Sequence, residues 1–269
     1  MNTPTYVLVL VLFFSTSCNS GKLTPIVDLP SSLKETSAIE KTSASNLLWV
    51  IEDAGNKNHL YGINEKGHIE KDIDIENIQN IDWEDLTSDS QGNIYIGDFG
   101  NNSKKRKQFA IYKISSPENT TKSAKAEVIS FSLPKDMKSE DFESFFLHNN
   151  MFYIFSKHNK KCELIKVPNI IGDHTAVYIS KYKFESKNTK VTSADISDDG
   201  KTVVLLNHDR LWKLTNFKGD NFFNGVVEAV DFKHDSQKEG INFIGPKTLL
   251  ITDEKNKSEG GNLYRFRMD

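Results

Sequence analysis

Five copies of one unit follow each other along the chain, and this echo constrains the fold more than any single residue. Each copy opens on a polar or acidic residue and apolar neighbours. It then makes a turn, enters an apolar strand that ends in a polar residue, and closes on a second strand rich in aromatics. The copies read SAIEKTSASNLLWVIED…HLYGI (37–63), EDLTSDSQGNIYIGD…FAIYKI (84–114), ESFFLHNNMFYIFSK…ELIKV (143–167), ADISDDGKTVVLLNH…RLWKL (194–214) and EGINFIGPKTLLITD…NLYRF (239–266). Their openers are Ser37, Glu84, Glu143, Ala194 and Glu239, spaced 45 to 59 residues apart. One such unit cannot bury its apolar face alone, whereas a stack of neighbours can.

Runs such as LLWVI, NIYIG, FAIYKI, MFYIF, TVVLL and TLLIT are rich in Val, Ile and aromatics, as strands are. Turn chemistry falls between them in NEKG, DSQG, HNN and SDDG. No segment sustains a 3.6-residue periodicity, so the chain reads as all-β. The spacing suits a propeller blade of four strands, about 40–50 residues, with some long loops. In the second copy the strands would be 86–88, 93–97, 109–114 and 127–133. The fifth copy runs out of chain before its outer strand. The segment 25–29 (PIVDL) can supply it, which closes the ring and hides an edge. The reading is therefore a single β-propeller of five four-stranded blades over 25–269. A six-bladed ring is the alternative, but it would need a blade within 160–188, where there is little room.

The N-terminus is a separate object. Residues 6–14, YVLVLVLFF, are an unbroken apolar run, too short to span a bilayer but suited to the core of a secretory signal. Small residues lead from it to Cys18, a pattern that resembles the lipobox of bacterial lipoproteins. There the signal is cut before a cysteine, and that cysteine takes the lipid. The resemblance implies a signal peptide over 1–18, a lipidated Cys18 and a tether over 19–24. It also implies a cell-envelope protein held to a bacterial membrane; plain secretion after ordinary cleavage is the alternative. The only other cysteine, Cys162, then has no disulfide partner. Within KKCELIKV it reads as a buried thiol.

A net charge of −3 gives no electrostatic footprint for nucleic acid. The basic stretch 101–108 (NNSKKRKQ) reads as a solvated loop, with contact to anionic head groups or glycans as the alternative. No nucleophile elbow, P-loop or dinucleotide fingerprint is present. The histidines sit in different repeats without metal-binding spacing, which argues against zinc.

Longer stretches carry a resemblance. LWVIEDAGN, LYGINEKGHIEKDIDI and IDWEDLTSDSQGNIYIGDFGNN, followed by DFESFF, VTSADISDDGKTVVL and KEGINFI, resemble secreted bacterial proteins with a β-propeller core. Their relatives include the phytase-like esterase and SdiA-regulated propellers. The match runs in order over roughly 35–265. It implies a fold; activity has to be argued from a site.

The acidic residues are where chemistry could lie. Glu84, Glu143 and Glu239 hold the same place in three repeats, before an inner strand. Asp195 lies one residue later in a fourth, and Ser37 takes the place in the first. Inner strands line the axis of a propeller, so these openers converge. A second set follows the next strand: Asp53, Asp98, Asp253, Lys157 and His208. Clustered carboxylates need something positive beside them. A hard cation suits Glu84, Glu143, Asp195 and Glu239, with Ca2+ the expected ion. Lys157, His158, His208 and Arg210 could neutralise them instead, or backbone N–H groups could. Trp49 and Trp212 read as packing between blades, while Trp83 could border the channel mouth. The leading expectation is an extracytoplasmic monomer that binds or scaffolds an unknown ligand at this mouth. The alternative is a metal-dependent hydrolase of phosphate esters or lactones.

Overall fold

A computed structural model describes residues 22–268, other than Lys187 and Ser258. The signal segment and Cys18 lie outside these. Five blades follow one another along the chain, each of four antiparallel strands that run in sequence order from the axis outward in blades 1 to 4. Blade 1 runs Thr36–Glu40, Leu48–Glu52, His59–Ile63 and Ile69–Ile75. Blade 2 runs Trp83–Ser88, Ile94–Asp98, Gln108–Ile114 and Glu127–Ser132. Blade 3 runs Phe142–His148, Met151–Ser156, Lys161–Pro168 and Val177–Lys183. Blade 4 runs Ser193–Ile196, Thr202–Leu206, Arg210–Thr215 and Val226–Asp231. Blade 5 has Lys238–Gly245, Thr248–Asp253 and Asn262–Arg267, and takes Leu23–Asp28 as its outer strand. The five-bladed reading and the closing N-terminal strand are thus borne out. Among the described residues, no helix is long and apolar enough to cross a membrane.

The closing strand pairs antiparallel with the last one, from Leu23 opposite Phe266 to Asp28 opposite Asn262. Two of the other outer edges are covered by neighbours. Ser123–Ala124, from the blade 2 connection, adds a short parallel strand to blade 1. Gly172–Thr175, from the blade 3 connection, does the same for blade 2. Unpaired edges invite aggregation, and these straps blunt two of them.

Alternation along each strand puts apolar side chains between adjacent blades, so the core is five slabs. Trp49, Ile51, Trp83 and Ile96 pack between blades 1 and 2. Phe109, Phe131, Phe142 and Phe152 fill the space between blades 2 and 3. Trp212 and Phe146 lie between blades 3 and 4, and Phe266 and Leu249 between blades 4 and 5. Val50 and Leu250 close the ring between blades 5 and 1. Trp49 and Trp212 pack as the sequence suggested. Trp83 does not border the mouth: its side chain is fully buried in the first slab, because the pleat turns it off the axis. Cys162 is also fully buried, which pushes its thiol well above the usual range.

Inner strands are edges too, and their outward N–H groups need acceptors. Side chains of the preceding blade supply them. Asp85 accepts from Phe145 N at 3.0 Å and Thr87 from Leu147 N at 3.2 Å. Ser193 accepts from Ile241 N at 3.1 Å, and Asn242 from Lys41 N at 3.2 Å. Asp85 also reaches blade 4, taking hydrogen bonds from Ser193 Oγ at 2.9 Å and Ala194 N at 3.2 Å. Much of the polar lining of the channel is therefore structural.

Candidate functional site

One residue in each of four inner strands is a β-bulge. The ladder skips Ser37, Glu84, Glu143 and Glu239, each at the same end of its blade. A bulge re-aims the extra side chain out of the sheet. Here it turns three glutamates into the axial mouth. Two residues earlier stands a further acid in three blades: Glu35, Asp82 and Asp141. Their carbonyls accept from Asp53 N, Gly100 N and Lys157 N, which follow the second strands. The same bond joins Glu254 N to Gln237 O in blade 5. Asp53, Gly100, Lys157 and Glu254 thus occupy equivalent places at the mouth.

Gly100 matters because it lacks a side chain. A Cβ there would collide with Glu84 Oε1 and with the Asp82 carboxyl group. The glycine lets these two carboxylates and Asp53 converge until one oxygen of each lies within 4.8 Å of the others. Three hard oxygen donors, with no thiol or paired imidazole, make a cradle that suits Ca2+ and not zinc. The residues present therefore fit such an ion.

Cations of the protein itself are few here. Lys157 Nζ forms an ion pair with Glu143. His208 Nε2 lies 3.4 Å from Glu239 Oε1. The other two candidates do not reach the ring: Arg210 is taken by Asp209 at 2.6 Å, and His158 Nδ1 contacts Asn159 O at 2.5 Å. Burial pushes Glu84 well above the usual carboxylate range, and the charges of Glu143 and Asp53 push it further. Burial also raises Glu143, against the pull of Lys157. Asp53 is raised by burial, and Asp82 is pushed up to about 6 by burial and then by Asp53. Glu254 is pushed up to about 8 by burial, with Glu239 and Asp53 adding. For Lys157, burial works against the ammonium, yet Glu143 and Glu239 outweigh it and hold its pKa above the lysine value. Burial and mutual repulsion thus oppose ionisation of the carboxyl groups at the mouth.

Three residues expected at the rings lie elsewhere. Asp195 is not beside Glu84. Its strand pairs Asp195 with Val204, three residues beyond the opener place, which Thr192 holds. Its carboxylate accepts from Phe243 N at 2.7 Å and Ile196 N at 2.7 Å, capping the next blade's edge. Burial pushes it up to about 7, and Glu40, held by Ser88 Oγ at 2.6 Å and Asn242 Nδ2 at 2.7 Å, is raised beside it. Both border a cavity of about 430 Å³ at the far end of the channel. Asp98 and Asp253 are fully buried inside their blades. Asp98 pairs with Arg106 at 2.8 Å and accepts from Tyr112 Oη at 3.2 Å. Asp253 accepts from Asn262 N at 2.7 Å and Tyr264 Oη at 2.9 Å. Glu52 is their counterpart in blade 1, opposite Thr36 as Asp98 is opposite Trp83. Asp53, Lys157 and His208 lie at the mouth. Asp82 and Glu254 join them without having been singled out in the sequence. The basic loop is only partly a solvated one, since Arg106 turns inward onto Asp98.

Fold and mouth together define a five-bladed β-propeller with an acidic axial opening. No protein-family model matches the sequence, and no curated protein matches it. Solved structures do match in shape. Glutaminyl cyclase from Myxococcus xanthus superposes with a TM-score of 0.59 at 11% identity, covering 93% of this chain and 97% of that one. The PQQ-bound aldose sugar dehydrogenase of Streptomyces coelicolor gives 0.57 at 8%, covering 93% and 99%. The gluconolactonase XC5397 of Xanthomonas campestris gives 0.52 at 9%, covering 96% and 94%. At these identities the likeness is one of fold.

Proposed function

We propose that this protein is an exported, lipid-anchored β-propeller hydrolase. Its substrate would be an ester bond of the lactone or phosphate-ester kind, bound at the acidic mouth. The observation that carries this reading is the convergence of Asp53, Asp82 and Glu84 behind Gly100. Such a cluster is costly unless a cation joins it. A divalent ion bound there would polarise a substrate oxygen and lower the pKa of its water. The chain's own groups have separate tasks. Asp53, Asp82 and Glu84 would hold the ion, and Lys157 fixes Glu143 by an ion pair. Glu254, raised in the ion-free protein by burial and by the charges of Glu239 and Asp53, is the carboxyl group placed to act as a general acid towards a leaving oxygen. The matched propellers named above as a gluconolactonase, a dehydrogenase and a glutaminyl cyclase are enzymes by name, so the fold is compatible with catalysis.

A second reading rests on a different observation. Glu143 already has Lys157 as its ion-pair partner, so this part of the ring is balanced without any metal ion. The mouth would then bind a ligand without turning it over. Assaying the purified chain with aliphatic lactones and an aryl phosphate, with calcium and with chelator, separates the two. The hydrolase reading expects calcium-dependent turnover of one class, lost in Glu84→Gln. Calcium bound with no turnover of either class would leave the binding module.

A further inference from the structure

The two ends of this propeller differ in more than charge. The mouth end carries the bulged glutamates. At the far end lie the hairpin turns that join first and second strands, such as His148 opposite Met151 and Gly245 opposite Thr248. Leu23 pairs with Phe266, whose neighbour Arg267 pairs with Thr248, so the described chain enters the fold at this far end. Leu23 is five positions beyond Cys18. Even fully extended, these five steps reach only about 17 Å. A lipid on Cys18 therefore holds the far end, not the mouth, near the bilayer.

Exposed apolar side chains gather at the same end. Ile170 and Ile171 are 57% and 47% exposed and follow Pro168, the far end of its strand. Val226, 51% exposed, lies opposite Thr215, which pairs with Thr202 at the far turn of blade 4. Ile69 in blade 1 pairs with Ile63 at that end, Val177 starts the outer strand of blade 3 there, and Ile244 adjoins the far turn of blade 5. Tyr178 follows Val177 one step along its strand, Ile26 lies mid-strand, and among the described residues Ile81 is the one exposed large apolar side chain at the mouth. The far-end residues are spread singly or in short runs over blades 1, 3, 4 and 5, yet all lie towards the same end, where a flat apolar phase could meet several of them at once.

We propose that the far face is a membrane-docking surface that lies against the lipid bilayer. It presents the acidic mouth away from the membrane, towards soluble ligands. The inference rests on the lipid anchor at Cys18. Several acyl chains on one cysteine hold firmly by themselves, so shallow insertion of isoleucine and valine side chains would set how the propeller lies on the bilayer and not whether it stays attached. The basic loop with Lys105 and Lys107 exposed sits beside the mouth and so faces solvent, not lipid head groups.

The test uses the full chain, produced in a bacterium with lipoprotein processing and reconstituted into phosphatidylglycerol-containing vesicles. Ile170→Cys, Val226→Cys and Ile81→Cys are each labelled with a fluorophore; Cys162 is buried and stays unlabelled. Nitroxide-bearing lipid should lower emission at 170 and at 226 by at least about two-fold and leave 81 unchanged, as expected for side chains at the acyl boundary. Iodide in the water should do the reverse. Equal quenching of all three positions by iodide, with lipid found on Cys18 by mass spectrometry, overturns the orientation alone. An unmodified Cys18 in that sample overturns the anchor, and the docking face with it.

Discussion

Gly100 and Asp85 show how single residues divide the channel between chemistry and structure. Gly100 gives up a side chain so that Glu84 and Asp82 can approach each other. Gly100→Ala should therefore spread the cradle. Calcium titration by calorimetry is expected to lose its heat signal in this variant, while the β-sheet circular dichroism spectrum stays intact. Asp85 has the opposite task. Its carboxylate accepts four hydrogen bonds, from Leu86 N, Phe145 N, Ala194 N and Ser193 Oγ, and so ties blade 2 to blades 3 and 4. Burial pushes it well above the usual range, against the pull of those four donors. Asp85→Ala strands Phe145 N and Ala194 N without an acceptor. Unpaired buried donors cost about 1–3 kcal/mol each, so a loss of about 3 kcal/mol is expected in urea unfolding. Asp85→Asn, which keeps one oxygen, should lose less.

At the scale of elements, the closing strand and the bulges decide what the sequence could reveal. Leu23–Asp28 pairs along most of its length with the last strand, and Leu29 N adds a bond to Gly261 O. A chain starting at residue 31 should unfold at a clearly lower urea concentration than one starting at residue 22. Equal midpoints would mean that the strand is a passive tail. This strand was legible because the fifth repeat stopped short of an outer strand. The glutamate openers were legible because their repeats align without gaps. A one-residue bulge, by contrast, leaves no mark in the sequence. Blades 1 and 5 offer two acids in succession, Glu52–Asp53 and Asp253–Glu254. Alignment by residue type chose Asp53 with Asp253, whereas the ladder matches Glu52 with Asp253 and Asp53 with Glu254. Glu254 was missed for that reason. Asp82 had a usable signal, the acid two places before the opener in DWE and again in DFE. Asp195 went astray because the opener place of blade 4 is held by Thr192, which carries no acid, and alignment by residue type slid on to the next carboxylate along the strand.

At the scale of the whole molecule, the axis is a column of carboxylates held above their ordinary pKa values. Asp82, Asp195 and Glu254 are pushed up to about 6, 7 and 8, chiefly by burial. For acids raised in this way the folded state binds the proton more tightly than the unfolded chain does. Their stabilisation is complete below about pH 4 and is lost as pH rises through the folded values. Lys238, lowered by burial to about 8, titrates above most of that window. The metal-free protein is therefore expected to melt at progressively lower temperature between pH 5 and pH 8.5. Calcium should flatten that slope, since an ion takes the place of protons at the mouth.

The central claim is that Asp53, Asp82 and Glu84 form a cation cradle, and thermal melting at pH 7.5 with calcium against chelator tests it most directly. An ion at about one hundred times its dissociation constant stabilises the fold by about 2.7 kcal/mol. For a chain of this length that is a rise of about 5–10 °C. The account predicts this rise in the native protein and its loss in Glu84→Gln, whose amide keeps the shape but removes a charge. A melting temperature unmoved by calcium or chelator, and lowered equally in both by Glu84→Gln, would contradict it and leave Lys157 as the cation that balances the mouth.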